Sequence, residues 1–229
     1  MRDALRQKLP LFALVGWCIA LLGARMWYSG GRGNAFLLWN LILAVVPVLA
    51  GIGLLVLDRR NGRIVVKVLV FLVWLSFLPN APYLVTDFVH LSQTPPVPQW
   101  YEVALFSSFA ATGALLGFAA VADVQGVIAS RFGRLLGWVT AVGALLLCGF
   151  GIYLGRFLRW NSWDLVTAPS TLAREIAYQL SHLRPHDPTW QVSIVYGVGL
   201  VLGYIALRSM SPAVPLPPRL VSSSLKCTT

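Results

Sequence analysis

What most constrains this chain is a succession of apolar runs long enough to cross a bilayer. A helix needs roughly 17 to 25 predominantly apolar residues to traverse a hydrocarbon core. Several stretches reach that length, which no soluble fold of this size requires. Charge agrees, because only 11% of the 229 residues are charged, against about 25% in an ordinary soluble domain. The expected fold class is an all-α membrane protein, a six-helix transmembrane bundle forming one multi-span domain over residues 1–210.

The first span is read from Leu11 to Tyr28, with Arg25 near enough to its end to snorkel toward headgroups. The basic segment Met1 to Lys8 resembles the start of a signal peptide. Against cleavage, the apolar run continues through Trp27 and Tyr28, and Val15, Gly16 and Trp17 lack the small residue a lipoprotein site wants before Cys18, so an uncleaved anchor is expected. The second span, Ala35 to Leu57, contains Pro47, which bends a membrane helix more often than it ends one.

The third span starts near Ile64 and is stopped by Pro79 after only about 15 residues, short for a full crossing. Asn80-Ala81-Pro82-Tyr83 then offers an N-cap with proline just inside a new turn, so a second short helix is expected to restart and run to about Leu91. The third helix is therefore broken. Thr94 to Pro98 reads as a stiff proline connector. Trp100 and Tyr101 mark the entry of the fourth span, which runs to about Val121, with Gly113 and Gly117 spaced for close helix packing.

Asp123 is expected to be solvated in a loop or short helix reaching Arg134, and the fifth span covers Leu135 to Leu158. From Arg159 to Thr189 the chain leaves the membrane core. Within it, Thr171 to Leu183 reads as an interfacial amphipathic helix, with Leu172, Ile176, Leu180 and Leu183 opposite Arg174, Glu175 and Gln179. The sixth span runs from Trp190 to Leu207, and residues 211–229 read as a disordered cytoplasmic tail.

Alternate sides of such a bundle carry unequal charge. One collects twelve Lys and Arg residues, including Arg59, Arg60 and Arg63 in a short loop; the other collects six, including Arg156 and Arg159. The positive-inside rule puts the first side, with both termini, in the cytoplasm of a bacterial inner membrane. The net charge of +10 is thus topological information and anionic-lipid attraction. It does not point to nucleic acid, since the basic residues flank apolar runs. The three cysteines form no CxxC pair or disulfide framework.

This topology brings the two most polar segments to the outer face. On a continuous helix Tyr83, Asp87 and His90 fall at i, i+4 and i+7, aligning a phenol, a carboxylate and an imidazole for acid-base work, with Asp87 orienting His90. These two are the catalytic candidates. Arg156 and Arg159, one turn apart, can offer guanidinium forks to a phosphate or carboxylate, with Trp160 and Trp163 against a lipid or sugar. Asn80, Tyr83, Asn161 and Asp164 complete the candidate substrate-binding set.

The architectural alternative is that the charges fix helix packing and the tryptophans form an interfacial belt. A metal is not expected. His90 and Asp87 supply two ligands at most, and Pro185 prevents a helical pair from His182 and His186. Glu102, at the entry of the fourth span, is expected to be solvated.

Pro79-Asn80-Ala81-Pro82-Tyr83 with Thr86-Asp87 and His90-Leu91, then Trp100-Tyr101, then Gly155-Arg156 and Arg159-Trp160-Asn161-Ser162-Trp163-Asp164, resemble the signature segments of bacterial membrane proteins known as domain of unknown function 1361. The likeness runs from the second span to the sixth and departs at Glu102, where the family carries Asp. The resemblance implies a small multi-span membrane protein and supplies no activity, cofactor or catalytic residue.

Three functions remain open to the sequence. The leading one is an outer-face polar pocket that recognises an anionic headgroup or lipid-linked substrate, with membrane lipids as partners. The others are a small transporter, suggested by the broken helix, and a packing or assembly subunit of a membrane complex. No nucleotide loop, nucleophile elbow or HExxH is present.

Overall fold

The computed structural model describes residue 6 and residues 8–93, 97–181 and 188–210, and all regular structure among them is helical. In chain order these are α1 (Leu9–Ser29), α2 (Phe36–Arg59), α3 (Ile64–Phe77), α4 (Asn80–Tyr83), a 3-10 helix (Leu84–Gln93), α5 (Gln99–Phe132), α6 (Arg134–Arg156), α7 (Asp164–Thr167), α8 (Pro169–Ser181) and α9 (Pro188–Met210). Counting α3 with its continuation as one, six segments are long and apolar enough to cross a membrane. The chain is a multi-pass membrane protein. The terminal tail, His182, His186 and most of the proline connector lie outside the described residues.

Local chemistry sets the helix ends. Pro10 lies in the first turn of α1, where its missing N–H costs nothing, and Gly30 closes the helix with a φ of 61°. Past α2, Asn61 takes a φ of 49°, and the Gly62 N–H reaches back 2.8 Å to the Leu57 carbonyl, wrapping the last turn. Pro47 sits buried inside an unbroken α2, as its position in an apolar run suggests.

The core forms around α5. Of its most apolar stretch 56% is buried, against 17% for α1 and for the third span, which face outward. At 1.5 Å per residue its 34 residues extend about 50 Å, well past a hydrocarbon core of roughly 30 Å. The segment after Val121, expected as a loop or short helix, is therefore a continuation of α5. It persists because it has a partner: Lys8 donates to Asp123 at 2.9 Å, and Arg131 pairs with Asp58, which also accepts from Lys67 at 3.2 Å.

At the opposite end of α5 two further expectations are corrected. Arg25 does not snorkel and Glu102 is not solvated. They are 3% and 1% exposed and form an ion pair at 2.7 Å, with Asn34 on the second carboxylate oxygen at 3.2 Å and Gly33 O on the guanidinium at 2.9 Å. A charge this deep is tolerated when its partner and remaining hydrogen bonds are supplied. Lys8–Asp123 and Arg25–Glu102 thus staple α1 antiparallel to α5 at both ends.

The amphipathic helix is present as α8, with Leu172 buried. Gln179 turns inward, contrary to its expected place on the polar face, because its side chain accepts from the Thr189 hydroxyl at 3.0 Å and ties α8 to the start of α9.

Candidate functional site

The break in the third span organises this end of the bundle. Pro79 and Pro82 lack N–H groups, so α3 cannot continue without freeing carbonyls that a bilayer will not solvate. Side chains bind the carbonyls on either side of the break. Asn80 Nδ2 donates to Phe77 O at 3.0 Å, Ser162 Oγ to Ser76 O at 2.9 Å, Thr86 Oγ1 to Tyr83 O at 2.7 Å, and Arg156 Nη2 to Thr86 O at 2.6 Å. Asn80 Nδ2 also reaches Ser162 Oγ at 2.7 Å, joining the break to the segment after α6.

Glycines let the break sit this deep. A Cβ at Gly113 would lie 2.3 Å from Ala81 O, and one at Gly151 would lie 2.6 Å from Pro79 Cγ. The spacing of Gly113 and Gly117 does mark close packing, but what it receives is the Ala81–Pro82 turn.

After Tyr83 the restart is a single α turn followed by a 3-10 helix, so the expected Tyr83–Asp87–His90 stripe does not form. In a 3-10 helix residues three apart eclipse, which separates Tyr83 and Thr86 from the row of Leu84, Asp87 and His90. Asp87 is wholly buried; it accepts from Asn40 Nδ2 at 3.0 Å and pairs with Arg156 Nη1 at 3.4 Å. His90 does not hydrogen-bond to Asp87 and packs edge-on against Phe36 with ring centroids 4.9 Å apart. Arg156 also donates to the Tyr83 hydroxyl at 3.2 Å.

The two arginines do not form a pair of forks. α6 ends at Arg156, whose guanidinium turns into the break. Arg159 takes a φ of 59°, and the Trp160 N–H reaches the Leu154 carbonyl at 3.1 Å. This wrapped helix end removes Arg159 from the face of Arg156. Arg159 is exposed and unpaired among the described residues. Asp164 serves its own segment, accepting from Asn161 N at 2.7 Å and from Thr167 Oγ1 at 3.1 Å. Trp163 packs edge-on against Trp39 at 6.1 Å.

Between α2, the break and the end of α6 lies a cavity of about 150 Å³. Trp39, Asn40 and Leu43 form one wall, Ser76, Pro79, Asn80 and Tyr83 a second, and Gly151, Leu154 and Gly155 a third; Trp160, Asn161 and Ser162 with Leu165 and Leu172 complete it. Of the candidate residues Asn80, Tyr83, Trp160 and Asn161 line this space. Asp87 and Arg156 stand one contact behind, and His90, Arg159, Trp163 and Asp164 do not line it. Sequence reasoning missed Asn40, Ser76, Thr86 and Ser162. For Asn40 the signal was present as a lone amide in an otherwise apolar span.

Residues 39–202 match the family described as Protein of unknown function (DUF1361). The chain belongs to the DUF1361 family. Every cavity-lining residue falls within the matched segment, from Trp39 to Leu172, whereas α1 with Arg25 lies outside it. No curated protein and no solved structure matches the chain.

Proposed function

We propose that this DUF1361 protein recognises the headgroup of an anionic, lipid-linked substrate in the cavity beside the broken third span, at the outer face of a bacterial cytoplasmic membrane. The observation that carries the reading is the cavity's position and wall. It lies at the level where α2 begins and α3 and α6 end, between Trp39 and Trp160, the depth at which lipid headgroups meet indole rings. The basic residues Arg59, Arg60, Arg63, Arg131, Arg134 and Arg208 gather at the other end of the spans, which supports a cytoplasmic assignment for that end and for both termini.

Recognition fits better than reaction. Among the described residues Tyr83 is the only titratable side chain in the cavity wall, while Asp87 is enclosed and His90 is packed on Phe36. Asp87 and Arg156 then serve as positioning residues that fix the Tyr83 hydroxyl and the amide of Asn40. Native mass spectrometry of protein extracted with its own lipids tests this. Wild type retains a bound anionic lipid, and Trp160→Ala with Arg159→Gln reduces retention roughly tenfold, the loss of about 1.4 kcal/mol. Equal retention by both proteins contradicts the reading.

A second reading, an assembly subunit, is favoured by one observation: Asp87 and Arg156 contact each other directly, which architecture alone requires. It predicts that the protein extracted in mild detergent is held in a complex through these spans and retains no lipid.

A further inference from the structure

Resting on the reading of this cavity as a headgroup site, we infer that it accepts the neutral, hydroxyl-rich glycosyl part of the substrate and leaves the phosphate outside, at Arg159. What the wall can bind follows from the hydrogen-bonding capacity it has left. Asn80 Nδ2 spends both protons, on Phe77 O and Ser162 Oγ, so the amide can offer only its carbonyl oxygen. The Phe77 partner is itself a carbonyl, which fixes the orientation of that amide. Asn40 donates one proton to the Asp87 carboxylate, keeping one N–H and its carbonyl. The Tyr83 hydroxyl accepts from Arg156 and retains its proton to give. The Asn161 side-chain amide has no partner among the described residues.

The wall therefore mixes acceptors with donors and carries no formal charge. The two charges one contact behind it, Asp87 and Arg156, pair with each other at 3.4 Å. A phosphate brings acceptors alone, so it meets the Asn80 carbonyl without a counter-ion and loses its hydration. An ammonium brings donors alone and leaves the Tyr83 proton unmatched. A sugar hydroxyl both donates and accepts, and the C–H faces of a sugar ring pack on indole and phenol rings such as Trp39, Tyr83 and Trp160. Size agrees. About 150 Å³ is below the roughly 300 to 1,000 Å³ that holds a whole drug-sized ligand, so one headgroup enters and the lipid chain stays in the bilayer. Arg159 immediately precedes the wall residue Trp160 and is exposed and unpaired among the described residues, which leaves a guanidinium fork free for the phosphate at the rim.

The test is calorimetric titration of the full chain in nanodiscs with two probes, a polyprenyl phosphate and the same lipid carrying one hexose on its phosphate. The glycosylated lipid is expected to bind at least about tenfold tighter. Tyr83→Phe and Asn161→Ala are expected to erase that preference while leaving affinity for the bare phosphate unchanged, and Arg159→Gln to weaken both probes alike. Equal binding of the two probes by wild type overturns the glycosyl assignment and leaves the headgroup site standing. Binding of neither probe removes the headgroup site itself. A preference that survives both cavity variants also overturns the inference, since the sugar is then read elsewhere.

Discussion

Arg156 carries more of the architecture than any other single side chain at this end of the bundle. Its guanidinium donates to Thr86 O, the Tyr83 hydroxyl and Asp87, all on the broken segment of the third span. A planar fork with five donors can serve three acceptors in fixed geometry; an ammonium cannot. Arg156→Met strands a wholly buried carboxylate, and unfolding in detergent micelles is expected to show a loss of about 3–5 kcal/mol. The double variant Arg156→Met/Asp87→Leu removes the stranded charge and is expected to regain most of that loss, whereas additive losses contradict the pairing. The sequence announces Arg156, Asp87 and Tyr83 because ionisable and polar groups in apolar spans stand out. It does not announce that Arg159 leaves their company. That divergence depends on a left-handed backbone at a residue whose type does not favour one, and only the packing of the segment after α6 selects it.

At the scale of elements, close approach decides what is tolerated. Gly113→Ala forces a methyl onto the Ala81 carbonyl, a backbone atom that cannot step aside, and is expected to destabilise by about 1–3 kcal/mol. Gly16→Ala on α1 meets nothing within 4 Å and is expected to be neutral or to stabilise by up to about 1 kcal/mol through helix propensity. Melting of both variants in the same detergent checks the contrast. The staple of α1 makes a separate prediction. Arg25→Gln leaves Glu102 buried beside Asn34 alone, and partial proteolysis between α1 and α2 is expected to accelerate, with Arg25→Gln/Glu102→Gln restoring resistance. The six spans and the proline break were legible because apolar length and missing N–H groups are local properties of the chain. The continuation of α5 through Asp123 was not. Asp123 and Gly126 lower helix expectation, and the Lys8 and Arg131 pairs that offset this come from distant sequence or from another helix.

In the whole molecule, the proposed site requires both polar segments to meet at one face of the membrane, with the basic loops at the other. Cysteine labelling tests this sidedness. In a Cys227→Ser background, where Cys18 and Cys148 are buried, Asn161→Cys is expected to react with an impermeant maleimide in intact cells, and Ser130→Cys only after permeabilisation. Labelling of both from one side contradicts this sidedness. On the proposed reading, the broken span builds a cavity for a neutral, hydroxyl-rich headgroup. It is tested most directly by an electron cryomicroscopy structure of the protein extracted with its native lipid. Ring-shaped density is expected between Tyr83 and Trp160, with a phosphate against Arg159 and the lipid chain leaving between the spans. An acyl chain alone filling the cavity, or a phosphate seated against Asn80, contradicts it.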